Sequence, residues 1–234
     1  MKTKKTIKSI AHALGIEIGK YRQIIHPLSF LTHLNIQTIL DIGANEGQFA
    51  AEVRSWLPEA ALYSFEPLTE CYKKLVASRK SDHHFQAFQL ALGQTAATIP
   101  MHKSSYTPSS SLKTMTTEHK EAFPHSARET IEKVEVERLD DVAKKINLRD
   151  NLLIKMDVQG FEDQVILGGP ETVRRAKVIF IEASFVELYS GQALFDDLYS
   201  TLKRLGFSYE GSINTKRHPK TGRILFEDAV FLNL

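Results

Sequence analysis

The sequence predicts an α/β protein, a Rossmann-like doubly wound sheet of about seven strands, mostly parallel with a C-terminal antiparallel hairpin. Three observations predict it. The turn Asp41-Ile-Gly-Ala-Asn-Glu-Gly47 joins an apolar run to an amphipathic segment, the strand–turn–helix entry of a βα crossover. Runs of strand length then alternate with segments of helical period through much of the chain. Finally, no helix fits between the last two strand-like runs, 207–213 and 226–233, so they pair as a hairpin.

Taken in order, residues 1–37 read as an N-terminal helical cap, with Ile7, Ile10 and Leu14, then Ile24, Leu28 and Leu31, at helical spacing. Pro27 opens or kinks its second helix. The remainder, 38–234, forms one domain. Strand 38–42 leads to helix 46–57, which buries Phe49, Ala50, Val53 and Trp56 and is closed by Pro58. Strand 61–66 leads to helix 68–79, with Leu68, Cys71 and Leu75 inward, and strand 85–91 follows. The alternation then breaks: 94–103 reads as an extra strand, and 104–130 is rich in Ser, Thr and charge with Pro108 and Pro124. A connection of that length in a compact domain is functional or disordered. Strand-like 133–137 and helix 139–146 resume the pattern. Runs 152–157 and 177–183 are near-continuously apolar until an acid, as central parallel strands buried on both faces require. Helix 192–205 ends at Gly206, a natural C-cap.

Composition narrows the function classes. At 234 residues the chain suits a single domain, and 42% hydrophobic with 25% charged residues is ordinary for a globular protein. A net charge of +2 does not by itself imply nucleic-acid binding. The single cysteine, Cys71, excludes an internal disulfide and fits a reducing compartment. The basic start is interrupted by Lys8, His12, Glu17 and Lys20, a poor signal peptide, and no apolar run approaches membrane-spanning length. A cytoplasmic location with no membrane span is expected.

The chemistry concentrates at strand ends. In doubly wound sheets the ligand crevice lies at the carboxyl ends of the strands. The glycine spacing is Gly-x-x-x-Gly, so the dinucleotide fingerprint is absent. Asp41 stands two residues before Gly43, where it repels a pyrophosphate and attracts a cationic amine or sulfonium, as in S-adenosylmethionine. Gly43 and Gly47 let the backbone approach such a ligand. Glu66, about 20 residues past the turn, is placed to hold a ribose diol, and Leu92 to flank an adenine ring while the 91–93 backbone reads the base edge. Asp157 and Glu182 end the two central strands. Converging carboxylates raise one another's proton affinity, which favours one as a base. Lys155 shares a strand face with Asp157 and reads as its structural ion-pair partner; Glu162 reads as a first-turn acid favoured by the helix dipole more readily than as a catalytic group.

Four blocks, Leu40-Asp-Ile-Gly-Ala-Asn-Glu-Gly47, Phe65-Glu-Pro67, Leu139-Asp-Asp141 and Lys155-Met-Asp-Val-Gln-Gly-Phe-Glu162, resemble those of a class I S-adenosylmethionine-dependent methyltransferase of the FkbM family. The Leu90-Ala-Leu-Gly93 turn fits as well, and the resemblance spans residues 38–182. It implies S-adenosylmethionine as cofactor and O-methylation of a hydroxyl on a small molecule, sugar or glycan. Mapped onto this chain, the cofactor-binding set is Asp41, Gly43, Ala44, Asn45, Gly47, Glu66, Pro67, Ala91 and Leu92, and the catalytic pair is Asp157 and Glu182. The 104–130 stretch, with its Ser109-Ser110-Ser111-Leu112 run, resembles a small-residue segment of the family and is expected to fold over the cofactor as a substrate loop or lid.

Other readings compete. The turn after the fourth strand, Asp157-Val-Gln-Gly, lacks the Asn/Asp-Pro-Pro-aromatic pattern of nucleobase amino-methyltransferases. The basic stretch Lys216 to Lys220 with Arg223 leaves an RNA-modifying methyltransferase as an alternative, although basic hairpin tips are more often merely solvated. A catalytically silent cofactor-binding module is a third reading, against which the intact acids weigh. The nine histidines show no zinc-ligand spacing, and although a carboxylate cluster suits Mg²⁺, no metal is assigned. The homodimer is left open.

Overall fold

The computed structural model describes residues 26–233. The N-terminal helical cap expected over 1–37 therefore lies outside the described residues up to position 25. What is described of it is a 3₁₀ turn, Ser29–His33, that buries Leu31.

Ten strands follow: β1 (Thr38–Ile42), β2 (Ala61–Phe65), β3 (Phe85–Phe88), β4 (Ala91–Leu92), β5 (Ala97–Ser104), β6 (Glu129–Glu137), β7 (Leu152–Met156), β8 (Ala176–Ser184), β9 (Ser208–Arg217) and β10 (Ile224–Leu232). Seven of them form one sheet in the order β3-β2-β1-β7-β8-β10-β9. The ladders from β3 to β8 are parallel, and β10 is antiparallel to both β8 and β9. This is the sheet that the sequence predicts. Its faces are covered as a doubly wound sheet requires. Neighbouring residues alternate between two apolar clusters: Leu40 and Ile154 pack into one, Ile39 and Leu153 into the other. Helix α1 (Gln48–Arg54) buries Ala50 and Val53 in the second cluster, and α2 (Thr69–Ser78) buries Cys71 and Leu75.

Two expectations are corrected. Segment 85–91 is not one strand: β3 stops at Phe88, and β4 joins β5 and β6 in a separate three-stranded sheet, β4-β6-β5. Hence 133–137 does not resume the main sheet. Its strand β6 alternates charged and apolar residues, with Val134 and Val136 buried, the period-two pattern of a sheet wet on one face. Nor is 104–130 a structureless loop. It contains a 3₁₀ turn at Thr107–Ser109, helix α3 (Thr117–Ala122) and a second 3₁₀ turn at Pro124–Ser126. Bridges pair Ser111 with His102 and Met115 with Tyr189. Met115 and Ala122 bury against Val186, Leu188 and Tyr189, so the segment is a packed wall. The remaining helices are α4 (Leu139–Ala143), α5 (Glu162–Gly168), α6 (Pro170–Arg174) and α7 (Phe195–Arg204). Among the described residues, no helix is long and apolar enough to cross a membrane.

Candidate active site

A cavity of about 550 Å³ opens at the carboxyl ends of β1, β2, β7 and β8, within the range of small-molecule sites. The turn after β1 forms its floor. Gly43 (φ 78°) is required there, because a Cβ would collide with the backbone carbonyl of Asp157. The amides of Gly43 and Ala44 both donate to Phe65 O at 3.0 Å. Those donors are spent, which leaves no anion cradle at the start of the turn and agrees with the missing dinucleotide fingerprint.

Glu66 lines the cavity at the end of β2 and is 5% exposed. Its carboxylate accepts from Asn45 N and Leu68 N, each at 2.8 Å. Burial pushes its pKa up to about 7, against the lowering effect of those two amides. A carboxylate has about four acceptor sites, so two remain for a diol. Beside it Leu68, Leu92, Met101 and Phe161 line an apolar slot suited to a planar ring. Two strand spacings away, roughly 10 Å, Asp157 follows β7.

Around Asp157 the acids gather. Lys155 Nζ stands 3.4 Å from Asp41 Oδ1 and 3.5 Å from Asp157 Oδ2, and donates to Gly43 O at 2.7 Å. Burial pushes the Lys155 pKa down, and Asp157 and Asp41 together raise it by more. Glu182, 8% exposed, has its pKa held well above the usual carboxylate range, by burial first and then by Asp157, Glu162 and Asp228. Glu162 is buried under the turn, where its Oε1 accepts from Val158 N at 2.9 Å and Gly160 N at 3.3 Å; burial pushes its pKa up to about 7. It supports the turn and does not line the cavity.

Of the sequence-predicted cofactor set, Gly43, Ala44, Asn45, Glu66, Pro67, Ala91 and Leu92 line the cavity, as do Asp157 and Glu182. Asp41 and Gly47 do not. Asp41 is fully buried beneath the floor, because the parallel register sets it level with Ser64 on one side and Lys155 on the other. Ser64 Oγ donates to its Oδ2 at 3.3 Å, and burial raises its pKa. Its charge therefore faces the Lys155 ammonium. Gly47 starts α1 in a left-handed conformation (φ 94°), and a Cβ there would meet Leu75 of α2 at 2.9 Å.

Several lining residues escaped sequence reasoning. Asp228 faces Glu182 across the β8–β10 ladder, and Asn214 faces Asp228 across β9–β10. Burial raises the Asp228 pKa. No local pattern marks either residue, since the register joins distant parts of the chain. Thr107 and Tyr106 of the wall also line the cavity, and Thr107 Oγ1 donates to Asn45 Oδ1 at 3.2 Å. Among the described residues, no three His, Cys, Asp or Glu side chains are arranged to hold a metal ion.

The model of the methyltransferase FkbM domain matches residues 41–209. The chain is 32% identical over 161 residues to the 2-O-methyltransferase NoeI of Sinorhizobium fredii, an alignment that covers 66% of each protein. It is 30% identical over 158 residues to the methyltransferase sdnD of Sordaria araneosa, covering 57% of this chain and 60% of sdnD. The chain thus spans just under two thirds of the length of these curated relatives. Among solved structures, the Streptococcus mutans protein SMU.1697c, in complex with SAH, superposes with a TM-score of 0.50 at 10% identity, over 92% of this chain and 100% of that one. That likeness is one of fold.

Proposed function

Because the chain belongs to the FkbM methyltransferase family, we propose that it transfers a methyl group from S-adenosylmethionine to a hydroxyl of an uncharged small molecule, sugar or glycan. The observation that carries this reading is the single cavity that runs from Glu66 and its apolar slot to the carboxylates Asp157 and Glu182. The residues present fit the cofactor: Glu66 keeps acceptor capacity for a ribose diol, and Leu92 and Leu68 flank the space for a base. Asn45, Ala44 and Pro67 shape the path between. When bound, the cofactor supplies a methyl group on a sulfonium.

The protein's own share is alignment, exclusion of water and removal of the hydroxyl proton. Asp157, with a side chain 39% exposed, is the carboxylate open to the acceptor. The Lys155 ammonium stands 3.5 Å from it, and Asp157 is the side chain placed to take the hydroxyl proton. Glu182, across the same cavity, orients the acceptor. Asp41 acts from below, fixing Lys155 and through it the Gly43 carbonyl.

Charge supports an uncharged acceptor. Among the described residues, Glu52, Glu66, Asp157, Glu182 and Asp228 line the cavity, with Lys155 the one cation. A phosphate or carboxylate on the acceptor would be repelled, which weighs against the RNA reading. So does the engagement of Lys216, in the basic hairpin, over the Phe123 ring at 5.9 Å. Calorimetry with S-adenosylmethionine and S-adenosylhomocysteine, followed by a radiolabelled methyl-transfer screen over hydroxylated metabolites, glycans and RNA, tests the reading. Cofactor binding with transfer to an uncharged alcohol is the expected result. Absence of binding would make the chain a silent module, and transfer confined to RNA would overturn the acceptor class.

A further inference from the structure

Gln159 stands between the two carboxylates of the site in a conformation that its own chemistry does not favour. Its φ is 55°, and Gly160 follows at 89°. A left-handed residue bearing a long side chain is uncommon and persists only where the surroundings over-determine it. Here they do. Gln159 Nε2 donates to Asp157 Oδ1 at 2.6 Å and to Glu182 Oε1 at 3.1 Å. A primary amide has two N–H hydrogens, one for each carboxylate. Its Oε1 accepts from the Tyr189 hydroxyl at 2.7 Å, whose one proton is shared with Ser109 O at 3.1 Å, and its backbone oxygen accepts from Ser111 Oγ of the wall at 2.7 Å. Turning the amide over would set its oxygen against Asp157, so the contacts define its orientation.

Tyr189 is itself held. It is 1% exposed, its ring packs on His119 at 4.9 Å, and Gln192 Oε1 accepts from its amide at 2.6 Å. A Cβ on Gly160 would stand 2.9 Å from the Tyr189 Cβ, so glycine is needed for the tyrosine to reach Gln159. A chain of contacts thus runs from the wall and Tyr189 through one amide to both acids.

We propose that Gln159 is a positioning residue, a clamp that holds Asp157 and Glu182 in one geometry and screens their mutual repulsion while the acceptor binds. The charged and titratable groups facing this pair are Lys155 from β7, Asp41 from β1, Glu162 from α5, Asp228 from β10 and Tyr189 after β8. Lys155 contacts Asp157 but not Glu182, so the amide is the contact the two acids share. The kinetic consequence rests on the methyltransferase reading; the electrostatic one does not.

Gln159→Asn separates a clamp from a turn residue. Asn adopts left-handed backbone more readily than Gln but is one methylene short of spanning both acids. Gln159→Met keeps the length and removes the donors. For a clamp, both variants bind S-adenosylhomocysteine within about twofold of wild type, lose about tenfold or more in kcat, and move the acid limb of the pH–rate profile to higher pH. Wild-type kcat in Gln159→Asn, or an unshifted profile, would overturn the clamp. A second measurement needs no turnover. At pH 9 the folding equilibrium constant should fall on Gln159→Met by a factor at least about fivefold larger in wild type than in a Glu182→Gln background. Equal factors in both backgrounds would also overturn it. A wild-type protein without transfer activity would sink the functional reading alone, and the unfolding cycle would still decide the clamp.

Discussion

Glu66 couples burial to cofactor recognition. The free site favours its protonated form, because burial has pushed the pKa up to about 7, whereas a ribose diol is accepted by the carboxylate. Affinity for S-adenosylhomocysteine should therefore rise about tenfold between pH 6 and 8. Glu66→Gln should weaken binding by about tenfold and flatten that dependence; calorimetry at three pH values reads both. The folding linkage has the opposite sense. A folded pKa above the unfolded one contributes stability that is complete below about 4.5 and is lost as pH rises through about 7. Glu162, raised to about 7 by burial, adds to the same trend. Urea unfolding of the free protein should show their combined stabilisation fading across that window. Asp157 is different in kind, since it is open to the cavity. Asp157→Asn should lower kcat by roughly 10²–10⁴ with little change in Tm. A loss seen only as a raised cofactor Kd would mean that it grips the cofactor instead.

At the scale of elements, the wall between β5 and β6 is where sequence and structure diverge most. Pro108, Pro124 and the Ser109-Ser110-Ser111 run read as loop because their neighbours show no period. Yet Ser109, Ser110 and Ser111 are buried, and Ser111 and the Ser109 carbonyl bond to Gln159 and Tyr189. Short polar residues pack when distant partners satisfy them, and those partners are invisible locally. The wall also carries a pH signature. His119 is buried on Tyr189 with Nε2 3.1 Å from Ser126 Oγ, and burial lowers its pKa to about 4. Its contribution to stability is present above about 6.5 and lost as pH falls through about 4. Limited proteolysis of 104–130 should be slow at pH 7, accelerate between pH 6 and 4, and accelerate less in His119→Gln. Cleavage that is fast at neutral pH in the free protein would contradict a packed wall.

Across the whole molecule, net charge misleads and its distribution informs. The chain carries +2 overall, whereas among the described residues the cavity lining holds five acidic side chains against one lysine. A neutral alcohol acceptor should exceed its own phosphate ester in kcat/KM by about tenfold or more, with the gap narrowing as salt screens the field. Equal rates for the two would remove the electrostatic basis of acceptor choice.

The sequence by itself determined the βα entry at Asp41–Gly47, the apolar central strands, the C-terminal hairpin and the acids at or near the ends of β1, β2, β7 and β8. All of these are local: period, glycine spacing and a charge at the end of a run are legible within about ten residues. Only the tertiary structure decided which acids meet. It buried Asp41 against Lys155, 114 positions along the chain by number, and brought Asp228 opposite Glu182. It moved β4, β5 and β6 into a second sheet and gave the 104–130 segment packed secondary structure beside the cavity. It also set Gln159, one residue in a recognised block, between Asp157, Glu182 and Tyr189. The physical reason is register: a side chain's partners across a sheet depend on how distant strands align, and no spacing within one strand encodes that alignment.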